Sequence, residues 1–346
     1  NGLIETASAN TPRFDYDPVT GECKGLLIEE SRINLVNDNA TNFNYSINNQ
    51  IRATQLDVAP DGTTVLCKHD LTGANIPFLN CIANTTLSSG NTYTMSMYLK
   101  GTTSFSASFA FVGETTSEIY SNTANITTEW KRFTLTFTLV NTQTLSRLQV
   151  FFARQGEAKI ISIWGAQLEA GAFPTSYIFR SSGQQASRSA DLADMTGTNF
   201  SSWYNSREGT IQTNIAIPYR AVGGARSFAL DNGTVAYMLD FTNSSTKVGL
   251  EGLENSGYRS IAFISNSTSI KLNQTTAYST QPAPSQIICV NGTLNPTGKT
   301  YITTSNYANL RLGTQVNGAG YLNGTISRLT YYPRALNDAE IQYLTQ

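Results

Sequence analysis

The chain has 346 residues, enough for two domains of ordinary size, and charged residues make up only 14% of it, against ~25% in a typical globular protein. Its 23 basic and 24 acidic residues leave a net charge of −1, and no Lys/Arg cluster is interleaved with aromatics, which excludes the electrostatic footprint of a nucleic-acid binder. No apolar run approaches the ~18–20 residues of a membrane span, and the opening NGLIETASAN has neither the basic nor the apolar region of a signal peptide.

The first informative stretch is RFDYDPVTGECKGLLIEESRINLV, Arg13 to Val36, a charged, hairpin-like segment too short to be a domain. Asp15, Asp17 and Glu22 faintly echo an oxygen-ligand calcium loop, but Asp-Pro followed by Thr-Gly is more simply a turn between two extended segments. No acidic cluster marks a calcium site elsewhere, and no cofactor is expected. In NTYTMSMYLKG the residues Tyr93, Met95, Met97 and Leu99 alternate with Thr94, Ser96, Tyr98 and Lys100, which predicts a strand with one buried face. EWKRFTLTFTLV repeats the pattern, Phe133, Leu135, Phe137 and Leu139 one way and Arg132, Thr134, Thr136 and Thr138 the other. SRLQVFFARQ and AKIISIWGAQLE follow, separated by the turn-like QGEA.

Apolar periodicity stops over RSSGQQASRSADLADMTG, Arg180 to Gly197, and small polar residues take over. Beyond it come further short strands, punctuated by Asn-Gly pairs at Asn232, Asn291, Asn317 and Asn323; Asn-Gly between alternating runs is the strongest local hairpin signal. The tail NDAEIQYLTQ predicts a helix capped by Asn337, with Glu340 completing a capping box and Ile341 and Leu344 forming an apolar stripe for docking on the sheet. No repeat of 20–50 residues argues for a solenoid. The expected fold is all-β: two antiparallel β-sandwiches in tandem, with an extended connector over 1–36, a first sandwich over 37–180, a linker over 181–196 and a second sandwich over 197–346.

Chemistry is sparse. Cys23, Cys67, Cys81 and Cys289 show no paired C-x-x-C spacing and the chain has one histidine, His69, so no metal site is expected and the cysteines read as packed and reduced. His69, in CKHDLTG, reads as a solvated loop residue. The nearest acidic pairs, Glu251 with Glu254 and Asp191 with Asp194, do not match the Glu-x-Asp-x-Glu kind of spacing of sandwich-fold glycosidases; the first reads as a turn and the second as linker. The chain is therefore expected not to be an enzyme. Sugar binding needs an exposed aromatic for the apolar face of a pyranose beside polar side chains for its hydroxyls. Trp130 and Arg132, on the polar-facing parity of their strand, are the candidates in the first sandwich, an edge residue packing on a loop being the other reading of Trp130. Trp203 and Tyr204, before the first strand of the second sandwich, are candidates that read equally as cover for a joint or a sheet edge. Trp164, on the parity of Ile160 and Leu168, reads as core.

Three stretches resemble a known family. GLIETASANTPRFDYDPVTGECKGLLIEESRINL is similar to the segment preceding a carbohydrate-binding-like module in tailed-bacteriophage virion proteins of the head fibre, head spike or tail fibre type. WGAQLEAGAFPTSYIFRSSGQQASRSADLA resembles the closing strand and exit loop of that family's jelly-roll module, itself similar to secreted carbohydrate-binding modules. LRLGTQVNGAGYLNGTISRLTYYPRALNDAEIQYLT resembles the end of a concanavalin A-like, laminin G-like sandwich. The resemblance implies a virion surface protein, on capsid or tail, that joins other virion proteins through its N-terminal side. It also implies a segment upstream of Asn1 and a homo-oligomer, a trimer being favoured. Weak multivalent attachment to host surface polysaccharide is the expected role. A decoration or spacer without ligand, and a bacterial extracellular glycan-binding protein, are the alternatives. Neither nucleic acid nor membrane is an expected partner.

Overall fold

A computed structural model describes residues 3–37, 44–45, 52–70, 78–151, 159–180, 183–218, 224–233, 236–242, 247–254, 257–265, 271–279, 285–295, 307–315, 318 and 320–346. In chain order a hairpin of β1 (Phe14–Tyr16) and β2 (Cys23–Ile28) comes first. It is followed by β3 (Arg32–Asn34), β4 (Asn44–Tyr45), β5 (Arg52–Val58), β6 (Val65–Asp70), β7 (Phe78–Ala83), β8 (Thr92–Gly101), β9 (Phe105–Gly113), β10 (Glu118–Ile126), β11 (Lys131–Thr138), β12 (Ser146–Phe151), β13 (Ile160–Ala170) and β14 (Ala186–Arg188). Then come β15 (Ala193–Thr196), a single turn α1 (Thr198–Ser201), β16 (Glu208–Ala216), β17 (Ala225–Asp231), β18 (Ala236–Thr242), β19 (Lys247–Glu254), β20 (Gly257–Ser265), β21 (Lys271–Ser279), β22 (Ser285–Val290), β23 (Thr293–Leu294), β24 (Asn309–Leu312), β25 (Gly324–Tyr332) and α2 (Asp338–Leu344). The all-β expectation holds, every strand pairing being antiparallel. Among the described residues no helix is long and apolar enough to cross a membrane.

The chain divides into two compact units, one of residues 1–6 and 31–189, the other of 7–30 and 190–346. In the first, two five-stranded sheets, β10-β9-β12-β7-β4 and β11-β8-β13-β6-β5, enclose a core. Leu79, Phe109, Phe111, Leu148 and Val150 come from one sheet and Met95, Met97, Leu99, Phe137, Ile163 and Leu168 from the other. The alternation in β8 and β11 places their apolar residues as their sequence predicts, because a strand with period-2 side chains can bury only one set. The runs SRLQVF and IISIWGAQLEA, adjacent in sequence, join opposite sheets: β12 pairs with β7 and β9, β13 with β6 and β8.

In the second unit a seven-stranded sheet, β1-β2-β25-β16-β21-β22-β23, faces a six-stranded one, β15-β24-β17-β18-β19-β20, over Ile28, Ile211, Phe228, Leu230, Tyr278, Ile288 and Ile326. The outer side of the seven-stranded sheet is sealed by α2, whose Ile341 packs with Ala277, Cys289 and Leu336. Its capping box forms as the sequence predicts: Asn337 Oδ1 accepts from Glu340 N at 3.0 Å and Glu340 Oε2 from Asn337 N at 2.9 Å. Of the Asn-Gly pairs, Asn291-Gly292 makes a two-residue hairpin between β22 and β23, both residues at positive φ, 47° and 76°. Asn323 leads into β25 without a hairpin, Asn232 opens the β17–β18 loop, and Asn317 lies outside the described residues.

The N-terminal segment differs from a free connector. Residues 7–30 belong to the second unit, where β2 pairs with β25 through Leu26–Ile326, Leu27–Thr325 and Ile28–Gly324, and Ile28 is 1% exposed. The apolar run at Leu26–Ile28, which a bare connector would have to bury against the following sandwich or copies of itself, lies in this pairing, with Ile28 buried and Leu26 and Leu27 half-buried. The expected linker over 181–196 likewise contains strands: β14 pairs with β3 and β15 with β24. Cys81 and Cys289 are buried, Cys67 half-buried and Cys23 exposed.

Candidate functional site

Trp130 and Arg132 stand on the outward side of the β11-β8-β13-β6-β5 sheet, as parity predicts, yet that face is taken by the chain itself. Gly165, at φ +68°, opens a bulge in β13 between Trp164 and Gln167, a conformation that favours glycine. The bulge turns Gln167 and Glu169 outward while Ala166 and Leu168 stay in the core. The two outward side chains then hold the segment that leaves the strand. Glu169 Oε2 accepts from Thr175 N at 3.0 Å, and Gln167 Oε1 from Ile178 N at 2.7 Å. Asn34 completes the closure, its Nδ2 donating to Ala166 O and Ile178 O and its Oδ1 accepting from Val36 N and Leu168 N. Arg132 donates to Thr175 O at 2.7 Å and to Ser96 Oγ at 2.9 Å, so its guanidinium pins the same strap. Trp130 Nε1 donates to Val58 O at 3.0 Å while its ring packs beside Ala59, Leu66 and Trp164. Trp164 is buried, but in this outward cluster and on the opposite face from Leu168; the bulge breaks the parity that linked them.

Trp203 and Tyr204 belong to an aromatic group in the second unit. Trp203 Nε1 donates to Asn199 O at 2.7 Å and its ring meets Phe200 and Tyr331 edge-on. Tyr204 stacks on Phe200 at 4.7 Å, and burial pushes its hydroxyl far up from the usual tyrosine range. Both rings are spent on packing.

The acidic pairs are also engaged or unplaced. Arg13 binds Asp191 through both carboxylate oxygens and Glu29 at 2.9 Å. Asp194 lies 3.5 Å from Arg311, which donates to the buried Asp231 at 2.7 Å. Glu251 and Glu254 fall within β19 rather than in a turn, and their side chains are outside those described. Asp17 Oδ1 accepts from Val19 N and Thr20 N, tying its own turn, and Asp15 pairs with Lys24 at 3.6 Å. His69 is not a solvated loop residue: it is buried within β6.

The outward face of the other sheet of the first unit, β10-β9-β12-β7-β4, has a different character. Its register sets side chains in cross-strand rows. Ser121, Ala110, Gln149 and Asn80 form one row, in which Ser121 is exposed, Gln149 half-buried, and Ala110 and Asn80 buried. On one side of it run Ile119, Val112, Arg147 and Ile82; on the other, Thr123, Ser108 and Phe151. Leu148 and Val150 point into the core, so Arg147, Gln149 and Phe151 point out, each half-buried. The Gln149 amide and the Ser121 hydroxyl thus lie between a row of Ile119, Val112, Arg147 and Ile82 and a phenyl ring, the combination a pyranose needs for its hydroxyls and its apolar face. These residues were legible in SRLQVF as the polar parity of a strand, but nothing local sets Gln149 apart from any other outward glutamine.

No family model matches the chain, and no curated protein matches it. Among solved structures it is similar to the CBM40 of the Ruminococcus gnavus IT-sialidase, at 15% identity over 45% of this chain and 96% of that one, with a TM-score of 0.36. The same module bound to alpha2,3 sialyllactose matches at 14% identity over 45% and 97%, TM-score 0.36. Trypanosoma rangeli sialidase matches at 13% identity over 40% of this chain and 22% of that one, TM-score 0.31.

Proposed function

We propose that the chain is a surface fibre or decoration protein of a tailed-bacteriophage particle that holds host surface polysaccharide weakly and in many copies, through the outward face of the β10-β9-β12-β7-β4 sheet. The observation that carries the binding reading is the set of outward Ser121, Thr123 and Gln149 beside half-buried Phe151. The particle setting is supported by the three sequence stretches that resemble virion proteins, and with it attachment to other virion proteins on the N-terminal side and assembly as a homo-trimer. No depolymerase activity is expected. A single site of millimolar affinity supplies ~4.1 kcal/mol, and several copies on one particle multiply avidity by roughly 10²–10⁴ where geometry allows simultaneous contact.

The test displays the full chain multivalently on glycan arrays and host cells. Gln149→Ala and Phe151→Ala are each expected to weaken binding by about tenfold, the worth of one hydrogen bond or ring contact. Trp130→Ala and Trp203→Ala are expected to lower stability and leave the binding of folded protein intact. Absence of binding by the multivalent wild type would replace the adhesion reading with that of a decoration protein without ligand.

A further inference from the structure

We infer that the glycans held on this face are neutral, chains of hexose or N-acetylhexosamine rather than chains ending in a uronic or sialic acid. The inference rests on the glycan reading of the same sheet face and narrows it to a chemical class. A sugar carboxylate that leaves water must find a cation or several donors to replace its hydration, since a buried unpaired charge is costly.

Among the described side chains pointing outward from β10, β9, β12 and β7, the one cation is Arg147, and its charge is already matched. Its Nε lies 3.2 Å from Glu114 Oε1, in the turn that follows β9, with both side chains about three-tenths exposed. A sugar carboxylate that took the remaining N–H donors of Arg147 would stand beside the negative charge of Glu114, which opposes it. The pair is neutral as a unit, so it supplies no field to draw an anion in. What remains outward is uncharged: Ser121, Thr123, Ser108 and Gln149 offer hydrogen bonds to hydroxyl and acetamido groups without favouring an anion.

The experiment uses the full chain on a printed set of neutral oligosaccharides of glucose, galactose and N-acetylglucosamine, each beside its counterpart ending in a uronic or sialic acid. The wild type is expected to bind the neutral member of its preferred pair at least about tenfold better, the cost of one poorly matched charge. Glu114→Gln, which frees Arg147, is expected to raise binding of the acidic counterpart about fivefold while leaving the neutral one unchanged. The wild-type comparison decides even where that variant folds poorly. Equal or better binding of the acidic members overturns the inference. A neutral preference that survives both Gln149→Ala and Phe151→Ala places selectivity elsewhere and overturns it for this face. No binding to any member, with a control lectin reporting, overturns the glycan reading itself and the inference with it.

Discussion

His69 pairs in register with Ile161 at the heart of a sheet, and burial pushes its imidazole down to about 4. An unfolded histidine titrates near ~6.5, so as pH falls the unfolded chain takes up this proton first. The contribution to stability is therefore complete above about pH 6.5 and declines as pH falls towards 4, by up to about 3 kcal/mol. Asp57 and Asp61, both held below the usual carboxylate range, in part by hydrogen bonds from Ser162 and Lys100 and from Thr64 respectively, give up theirs only at lower pH, where unfolded carboxylates protonate. The melting temperature of the first unit's transition is expected to fall between pH 6.5 and 4, and His69→Gln to flatten that part of the profile. An unchanged slope would remove His69 as its source. The same residue shows a limit of local reading: CKHDLTG looks like a polar loop, and only pairing with β5 and β13 turns it into a buried strand.

At the scale of elements, the segment that crosses the outer face of the β11-β8-β13-β6-β5 sheet explains why WGAQLEAGAFPTSYI has its particular composition. Gly makes the bulge, Gln and Glu receive backbone donors, and Thr175 is the residue received. Glu169→Ala would strip the acceptor from Thr175 N in a buried setting and is expected to cost about 3 kcal/mol. Limited proteolysis should then cut within 171–180 before elsewhere; cleavage confined to other segments would mean that the strap is held without Glu169. The strap also decides the fate of Trp130 and Arg132, whose outward parity was readable in EWKRFTLTFTLV while the chain that covers them was not. The terminal helix is the opposite case: Asn337 and Glu340, three residues apart, bond each other's backbone, so the cap was readable in full.

At the scale of the whole molecule the second unit is discontinuous in sequence, and residues 7–30 supply two of its strands. Removing them exposes the edge of β25 and empties the place of Ile28, whose burial alone is worth roughly 1.5–3 kcal/mol. Residues 190–346 expressed alone are expected to be insoluble or molten. The same residues joined behind 7–30 by a short Gly/Ser link should fold, because Asp191 N already donates to Glu29 O at 2.9 Å and the two ends are adjacent. Cooperative melting of 190–346 by itself, with native-like near-ultraviolet circular dichroism, would show the hairpin to be dispensable. Residues 31–189 should melt cooperatively on their own, since their core draws on no strand outside that span.

Period-2 alternation, Asn-Gly turns and a capping box are short-range signals, and they determined the all-β class, the facing of β8 and β11, the β22–β23 hairpin and the terminal helix. Each depends on residues within a few positions of one another, where backbone geometry leaves few choices. Tertiary structure alone decided which outward residues are covered, which aromatics are spent on packing, and to which unit residues 7–30 belong. Those outcomes turn on contacts between residues far apart in the chain, such as Leu26 with Ile326 or Asn34 with Ala166. No local pattern encodes a partner that distant, because many outward-facing residues are chemically alike until something comes to rest upon them.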